Sequence, residues 1–123
     1  MTPHPLHDRR ILVVEDEYYL AMDLERELAS VGVQVLGPVP SVDQALAAIA
    51  ADPGIDGAVL DINLGGDMSF PVAEALFARN VPFVITTGYV DGDLDKRYPH
   101  ITRCEKPVDP RKLSAALVAA LVE

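Results

Sequence analysis

The sequence has little of what secreted, membrane-bound or nucleic-acid-binding proteins need. Cysteine occurs once, at Cys104, so there is no disulfide framework and no thiol cluster with metal-ligand spacing. A reducing, cytoplasmic setting is the expectation. No apolar run approaches the ~20 residues of a membrane span, and Met1 to His7 holds two prolines without a signal-peptide core. Cations are scarce as well. Ten Lys and Arg stand against 19 Asp and Glu, a formal net charge of -9. Binding DNA or an anionic membrane requires clustered cations, and Arg9-Arg10 is too small a patch. Neither partner is expected. Internal repeats, low-complexity tracts and linkers are absent too.

What is present fits one compact domain. The chain has 123 residues, half of them hydrophobic, enough for one sizeable core and too few for two ordinary domains. Residues 9–123 are read as the domain and residues 1–8 as a flexible lead-in. Ile11 to Val14 is an apolar run bounded by charge, as in a strand buried on both faces. Leu20, Leu24, Leu28 and Val31 then recur at helical spacing, and Gly32 stands where a helix C-cap belongs. The βα unit recurs. Val33 to Val39 reads as a strand, and Ser41 to Gln44 has the capping-box pattern of a helix that stops near Asp52-Pro53-Gly54. Gly57 to Leu60 and Val81 to Thr86 read as strands on either side of a helical face formed by Val72, Ala73, Leu76 and Phe77. Ile101 to Glu105 is a weaker fifth strand. Asp109 as N-cap, Pro110 at the first helical position and the Leu113, Leu117, Leu121 stripe mark the last helix. Only a short or irregular helix, striped by Val90 and Leu94, is expected between Gly88 and Pro99. The alternation implies a (βα)₅ doubly wound parallel sheet with helices on both faces.

In such a sheet, ligands bind beyond the carboxyl ends of the strands. Glu15 and Asp16, Asp61, Thr86 and Thr87, and Glu105 and Lys106 all fall at that edge. Crowded carboxylates repel one another unless a cation sits among them, and Mg²⁺ suits oxygen ligands of this kind. Asp16 and Asp61, with Glu15 directly or through water and the backbone carbonyl of Asn63, form the candidate metal set. Taken alone, Glu15-Asp16 reads equally well as helix-starting acids. Phosphoryl transfer needs a nucleophile, charge neutralisation and a hydrogen-bond donor held in position. Asp61 would attack, Lys106 would pair with the phosphoryl oxygens, and the Thr87 hydroxyl would donate to one of them.

The chain resembles a bacterial response-regulator receiver domain from about Arg9 onward. The resemblance lies in ILVVEDE (Ile11 to Glu17), VLDINLGGD (Val59 to Asp67), VPFVITTGY (Val81 to Tyr89) and Lys106-Pro107. It implies a flavodoxin-like receiver fold with strand order 2-1-3-4-5 and makes Asp61 the phosphoacceptor. It further implies Glu15, Asp16 and the Asn63 carbonyl as Mg²⁺ ligands, Thr87 as the switch hydroxyl, and Lys106 as the phosphate lysine before a frequently cis proline. Asn63 and Tyr89 match positions at which such domains vary dephosphorylation. The implied partners are a histidine kinase or histidine phosphotransfer protein and a downstream effector or relay partner. The implied state is a cytoplasmic monomer or weak dimer. With no output segment after the last helix, a stand-alone, chemotaxis-regulator-like receiver is expected, catalysing only its own phosphorylation and dephosphorylation. Two features depart from the family pattern. Arg103 stands where receivers commonly carry a switch aromatic, and Thr87-Gly88-Tyr89 resembles a subfamily with a degraded fourth helix. Readout through reordering of residues 88–100 is therefore expected.

Other signals are weaker. Asp91, Asp93 and Asp95 open like a Ca²⁺ loop, but Lys96 and Thr102 occupy its glycine and glutamate positions. His4, His7 and His100 are isolated, Gly65-Gly66 lacks a P-loop ending, and Cys104 reads as a buried strand residue. Two alternatives compete with the receiver. A haloacid-dehalogenase-like phosphatase shares the Asp, Mg²⁺, Thr and Lys set, but it carries a second acid where this chain has Asn63 and places its nucleophile on the first strand. A pseudo-receiver used only for binding would not need the intact acidic pair, Asp61, Thr87 and Lys106.

Overall fold

The computed structural model describes residues 2–88 and 96–122. In chain order the elements are β1 (Arg10–Val14), α1 (Tyr18–Ser30), β2 (Gln34–Val39), α2 (Val42–Ala51), β3 (Gly57–Asp61), β4 (Asn63–Leu64), β5 (Asp67–Met68), α3 (Phe70–Ala78), β6 (Phe83–Thr87), β7 (Arg103–Glu105) and α4 (Pro110–Val122). Five strands form one parallel sheet in the order β2-β1-β3-β6-β7. This is the expected 2-1-3-4-5 order, with the β4–β5 hairpin interpolated in the numbering.

The central strands β3 and β6 are buried along their whole length, as their unbroken apolar runs require. Their side chains alternate between two cores. Leu12, Val14, Leu60 and Ile85 pack with Ala45 and Ile49 of α2 and with Val72, Ala73 and Leu76 of α3. Ile11, Val13, Val59 and Val84 pack on the other side with Leu24 and Leu28 of α1 and with Leu113 and Leu117 of α4. Residues 1–8 are expected to be flexible, yet Leu6 is buried in this second core. The Asp8 N–H also donates to the Gly32 carbonyl at 2.8 Å. An apolar side chain two turns ahead of β1 is enough to anchor the segment.

The helix ends follow from local chemistry. Gly32 takes φ +90 after α1, and the Ser41 hydroxyl accepts from the Gln44 N–H at 3.2 Å to cap α2. Asp109 accepts the Arg111 N–H at 2.9 Å before α4. Ser69 precedes α3 without capping it, because its hydroxyl is used elsewhere.

The structure also refines the sequence reading. The fifth strand begins at Arg103 instead of Ile101, because the Ile101 N–H turns back to the Tyr98 carbonyl at 3.2 Å. Cys104 is half-buried, since β7 is an edge strand, and burial pushes its thiol pKa up. Gly65-Gly66, set aside in the sequence as no P-loop, is the tip of the β4–β5 hairpin, with φ +61 and +97 as a two-residue turn of that hand requires. Most of the irregular helix expected between 88 and 99 lies outside the described residues, although Lys96 and Arg97 are helical. The Lys106-Pro107 bond is cis, as the resemblance implies, and so is Gly37-Pro38.

Candidate functional site

Parallel register assembles the site. Val14 lies opposite Leu60, so Glu15, one residue on, reaches Asp61; Asp61 in turn lies opposite Thr86, and Thr86 opposite Cys104. A row of four residues thus crosses the carboxyl edge of the sheet on the side facing α1 and α4. Glu15 and Asp61 are almost fully buried, at 2% and 3% exposure, whereas Asp16 is exposed. One carboxylate oxygen from each of the three lies within 4.8 Å of the others.

Asp61 is held by three hydrogen bonds. Its Oδ2 accepts from Lys106 Nζ at 2.9 Å and its Oδ1 from the Asn63 N–H at 3.1 Å. Its backbone carbonyl accepts from the fully buried Ser69 hydroxyl at 2.6 Å. The Lys106 backbone is tied to the same edge by its N–H, which donates to the Thr87 carbonyl at 2.8 Å. Thr87 is buried and follows Thr86, so strand alternation turns its side chain toward the face carrying Ile85. Asn63 contributes its backbone to the site, but its side chain faces away. The side-chain Oδ1 accepts from the Gly66 N–H at 2.8 Å and closes the hairpin. The hairpin tip stands beside Asp16, whose Oδ2 is 3.6 Å from the position a Cβ on Gly65 would take.

The charges do not balance within the protein. Burial, followed by the adjacent Asp61 carboxylate, pushes the Glu15 carboxyl up to about 8. Burial alone would lower the Lys106 ammonium pKa, yet the hydrogen bond it donates to Asp61 and the charges of Asp61 and Glu15 outweigh it and raise that pKa. Glu15 Oε1 is buried without a hydrogen-bond partner, Lys106 Nζ standing 3.6 Å away. Three carboxylates, one of them with an orphaned buried oxygen, face a single lysine, and the excess of anionic oxygens suits a hard divalent cation.

No protein-family model matches the chain, and no curated protein matches it. Solved structures do. A response regulator receiver protein from Sinorhizobium medicae WSM419 is 27% identical with a TM-score of 0.84, over 95% of this chain and 97% of its own. SdrG from Sphingomonas melonis Fr1 is 42% identical with a TM-score of 0.74, over 98% and 99%. The chain belongs to the response-regulator receiver family. The receiver is also 42% identical to the BeF3-activated conformation of SdrG, attributed to Pseudomonas melonis Fr1, with a TM-score of 0.75 over 93% of this chain and 96% of that one. Its sheet order and flanking helices are those of the flavodoxin-like receiver fold. Membership makes it a signal-transduction domain working through phosphorylation.

At the position three before the lysine, the receiver carries Arg103, whose guanidinium donates to the Tyr98 carbonyl at 3.4 Å. Tyr98 fills the neighbouring space. Its ring stacks on Phe77 with centroids 5.2 Å apart, and its hydroxyl donates to Glu74 at 2.8 Å. The sequence reading missed Ser69 and took Thr86 only as a strand-end residue, because neither belongs to a spacing pattern. A hydrogen bond spanning eight residues brings Ser69 to Asp61, and strand register brings Thr86 there. It also missed the apolar patch beside the site. Tyr18 and Tyr19 are 68% and 78% exposed, next to a cavity of about 460 Å³ lined by Glu15, Asp16, Met22, Pro38 and Pro40.

Proposed function

We propose that Asp61 accepts a phosphoryl group from a phosphohistidine of a histidine kinase or phosphotransfer protein, and that a separate protein reads the aspartyl phosphate. The observation carrying this reading is the Lys106 ammonium 2.9 Å from Asp61 Oδ2, inside a cluster of three carboxylates with one orphaned oxygen. An oxygen lone pair of Asp61 forms the new O–P bond while the donor N–P bond breaks, its electron pair returning to the imidazole. Lys106 offsets charge on the phosphoryl oxygens and the Thr87 hydroxyl donates to one of them. Glu15, Asp16, Asp61 and the Asn63 carbonyl would hold Mg²⁺, which supplies positive charge to the transferring group. Asn63 N–H and Ser69 Oγ keep the Asp61 carboxylate and backbone in place during the transfer. The domain acts on itself alone, and its output is contact with other proteins. None of the described helices is long and apolar enough to cross a membrane, and we place the domain in the cytoplasm as a monomer or weak dimer.

Incubation with Mg²⁺ and acetyl phosphate tests the reading. Wild type is expected to gain one base-labile phosphoryl group, seen by mass spectrometry, and Asp61→Asn none. Multiple turnover of phosphomonoesters would point to the phosphatase instead, and no adduct at all to a binding module.

A further inference from the structure

Among the described residues, two buried side-chain polar atoms lack a hydrogen-bond partner, Glu15 Oε1 and Thr86 Oγ1. They flank the same residue. Asp61 lies between Glu15 and Thr86 in the row across the sheet, and neighbouring strands are only about 4.8 Å apart. A divalent cation accounts for the glutamate. It does not account for the threonine, which is fully buried, at 0% exposure, on the inner side of the acceptor. A valine has the same shape, suits a strand equally well and carries no hydroxyl to desolvate. Thr86 therefore bears an unmet donor where an apolar residue would be cheaper, and that donor adjoins the reacting carboxylate.

Both Asp61 oxygens are at present engaged elsewhere, Oδ2 with Lys106 and Oδ1 with the Asn63 N–H. Attaching a phosphoryl group to one oxygen moves the negative charge outward, and Lys106 follows the charge. The acyl group left behind then loses the Lys106 bond, keeps at most the Asn63 N–H, and has Thr86 as its neighbour in the row. We propose that Thr86 is a positioning residue for the phosphorylated state, its hydroxyl donating to the acyl group of Asp61 once phosphate is attached. The proposal rests on the phosphoacceptor reading above. It gives the two adjacent threonines separate tasks on opposite faces of β6: Thr86 holds the acyl group and Thr87 the phosphoryl oxygens.

Beryllofluoride with Mg²⁺ is the probe, titrated by ¹⁹F NMR against wild type, Thr86→Val and Thr86→Ser, with thermal unfolding of each free protein alongside. For Thr86→Val we expect melting at or above the wild-type temperature, together with beryllofluoride binding weakened about tenfold, the worth of one hydrogen bond. Thr86→Ser restores binding, because it keeps the hydroxyl. A merely structural threonine would not give opposite signs in the free and loaded proteins. Wild-type affinity in Thr86→Val overturns the proposal and leaves the phosphoacceptor reading standing. So does a Thr86→Val protein that melts lower or fails to fold, since the hydroxyl then already has a partner. If wild type itself binds no beryllofluoride, both readings fall.

Discussion

At the scale of single residues, Glu15 shows how the site trades stability for chemistry. Its folded-state carboxyl titrates near 8 instead of 4.5, mainly through burial and then through Asp61. The folded protein therefore holds a proton that the unfolded chain gives up, and between these values stability falls as pH rises. Below about 4.5 both states are protonated and the cost vanishes, whereas above about 8 it is complete. Glu15→Gln removes the titration. In Mg²⁺-free buffer it is expected to leave the melting temperature unchanged at pH 4 and to raise it at pH 9, as thermal unfolding monitored by circular dichroism will report. A melting temperature equal to that of wild type at both pH values would mean that Glu15 ionises in the fold without cost. These acids were legible in the sequence because each ends a strand, and strand ends of a parallel sheet converge by geometry alone. Thr86 was placed at the same edge, but its part beside Asp61 and that of Ser69 were not legible. A threonine in a strand and a serine before a helix are ordinary locally, and their roles arise from the register opposite Asp61 and from a hydrogen bond spanning eight residues.

Among the elements, the first three βα units, the fourth strand and the last helix were readable because each strand has an apolar run and each helix a stripe or a cap. The β4–β5 hairpin was invisible, since two strands of two residues have no period to detect. It nonetheless shapes the site. Gly65 and Gly66 take the positive φ angles of its turn, the Gly66 N–H donates to the Asn63 side chain, and the Asn63 N–H donates to Asp61. Loosening this turn should loosen the acceptor. Gly66→Ala places a side chain at φ +97, where no atom within 4 Å of its Cβ would clash, so the cost is conformational and about 1 kcal/mol. Chemical denaturation is expected to show that loss, and acetyl phosphate labelling to slow in the same variant. A stability loss with unchanged labelling would separate the hairpin from the acceptor. The fifth strand and the helix before it were the least legible. Arg103 and Glu105 break the apolar run, and the strand is held mainly by parallel pairing with β6, which adjacent residues do not encode.

For the whole molecule, the question is how a buried carboxylate meets a protein donor. The acceptor row lies just inside the carboxyl edge of the sheet, and the surface beside it sets exposed tyrosines among the acids Asp16, Glu17 and Glu25. Tyr18 and Tyr19 open α1 with their rings edge to face, 5.3 Å between centroids, and both rings are largely exposed. Large exposed aromatic side chains are costly to leave in water and commonly carry the binding energy of protein contacts. Small donors need only the carboxylate, while a protein donor must also rest on the rim around it. Tyr19→Ala should therefore separate the two. Because the side chain is exposed, stability is expected to stay within about 0.5 kcal/mol of wild type. Labelling by acetyl phosphate should be unchanged, whereas transfer from a phosphorylated histidine donor protein should lose about tenfold in kcat/KM, as removal of an interface anchor does. Transfer assays with radiolabelled donor, run beside acetyl phosphate on the same preparation, measure both. If the two donors slow together, the tyrosine acts on the acceptor and not on docking. If neither slows, the donor rests on a different part of the rim, such as the groove bounded by Glu17, Leu20, Pro107 and Val108 next to Lys106.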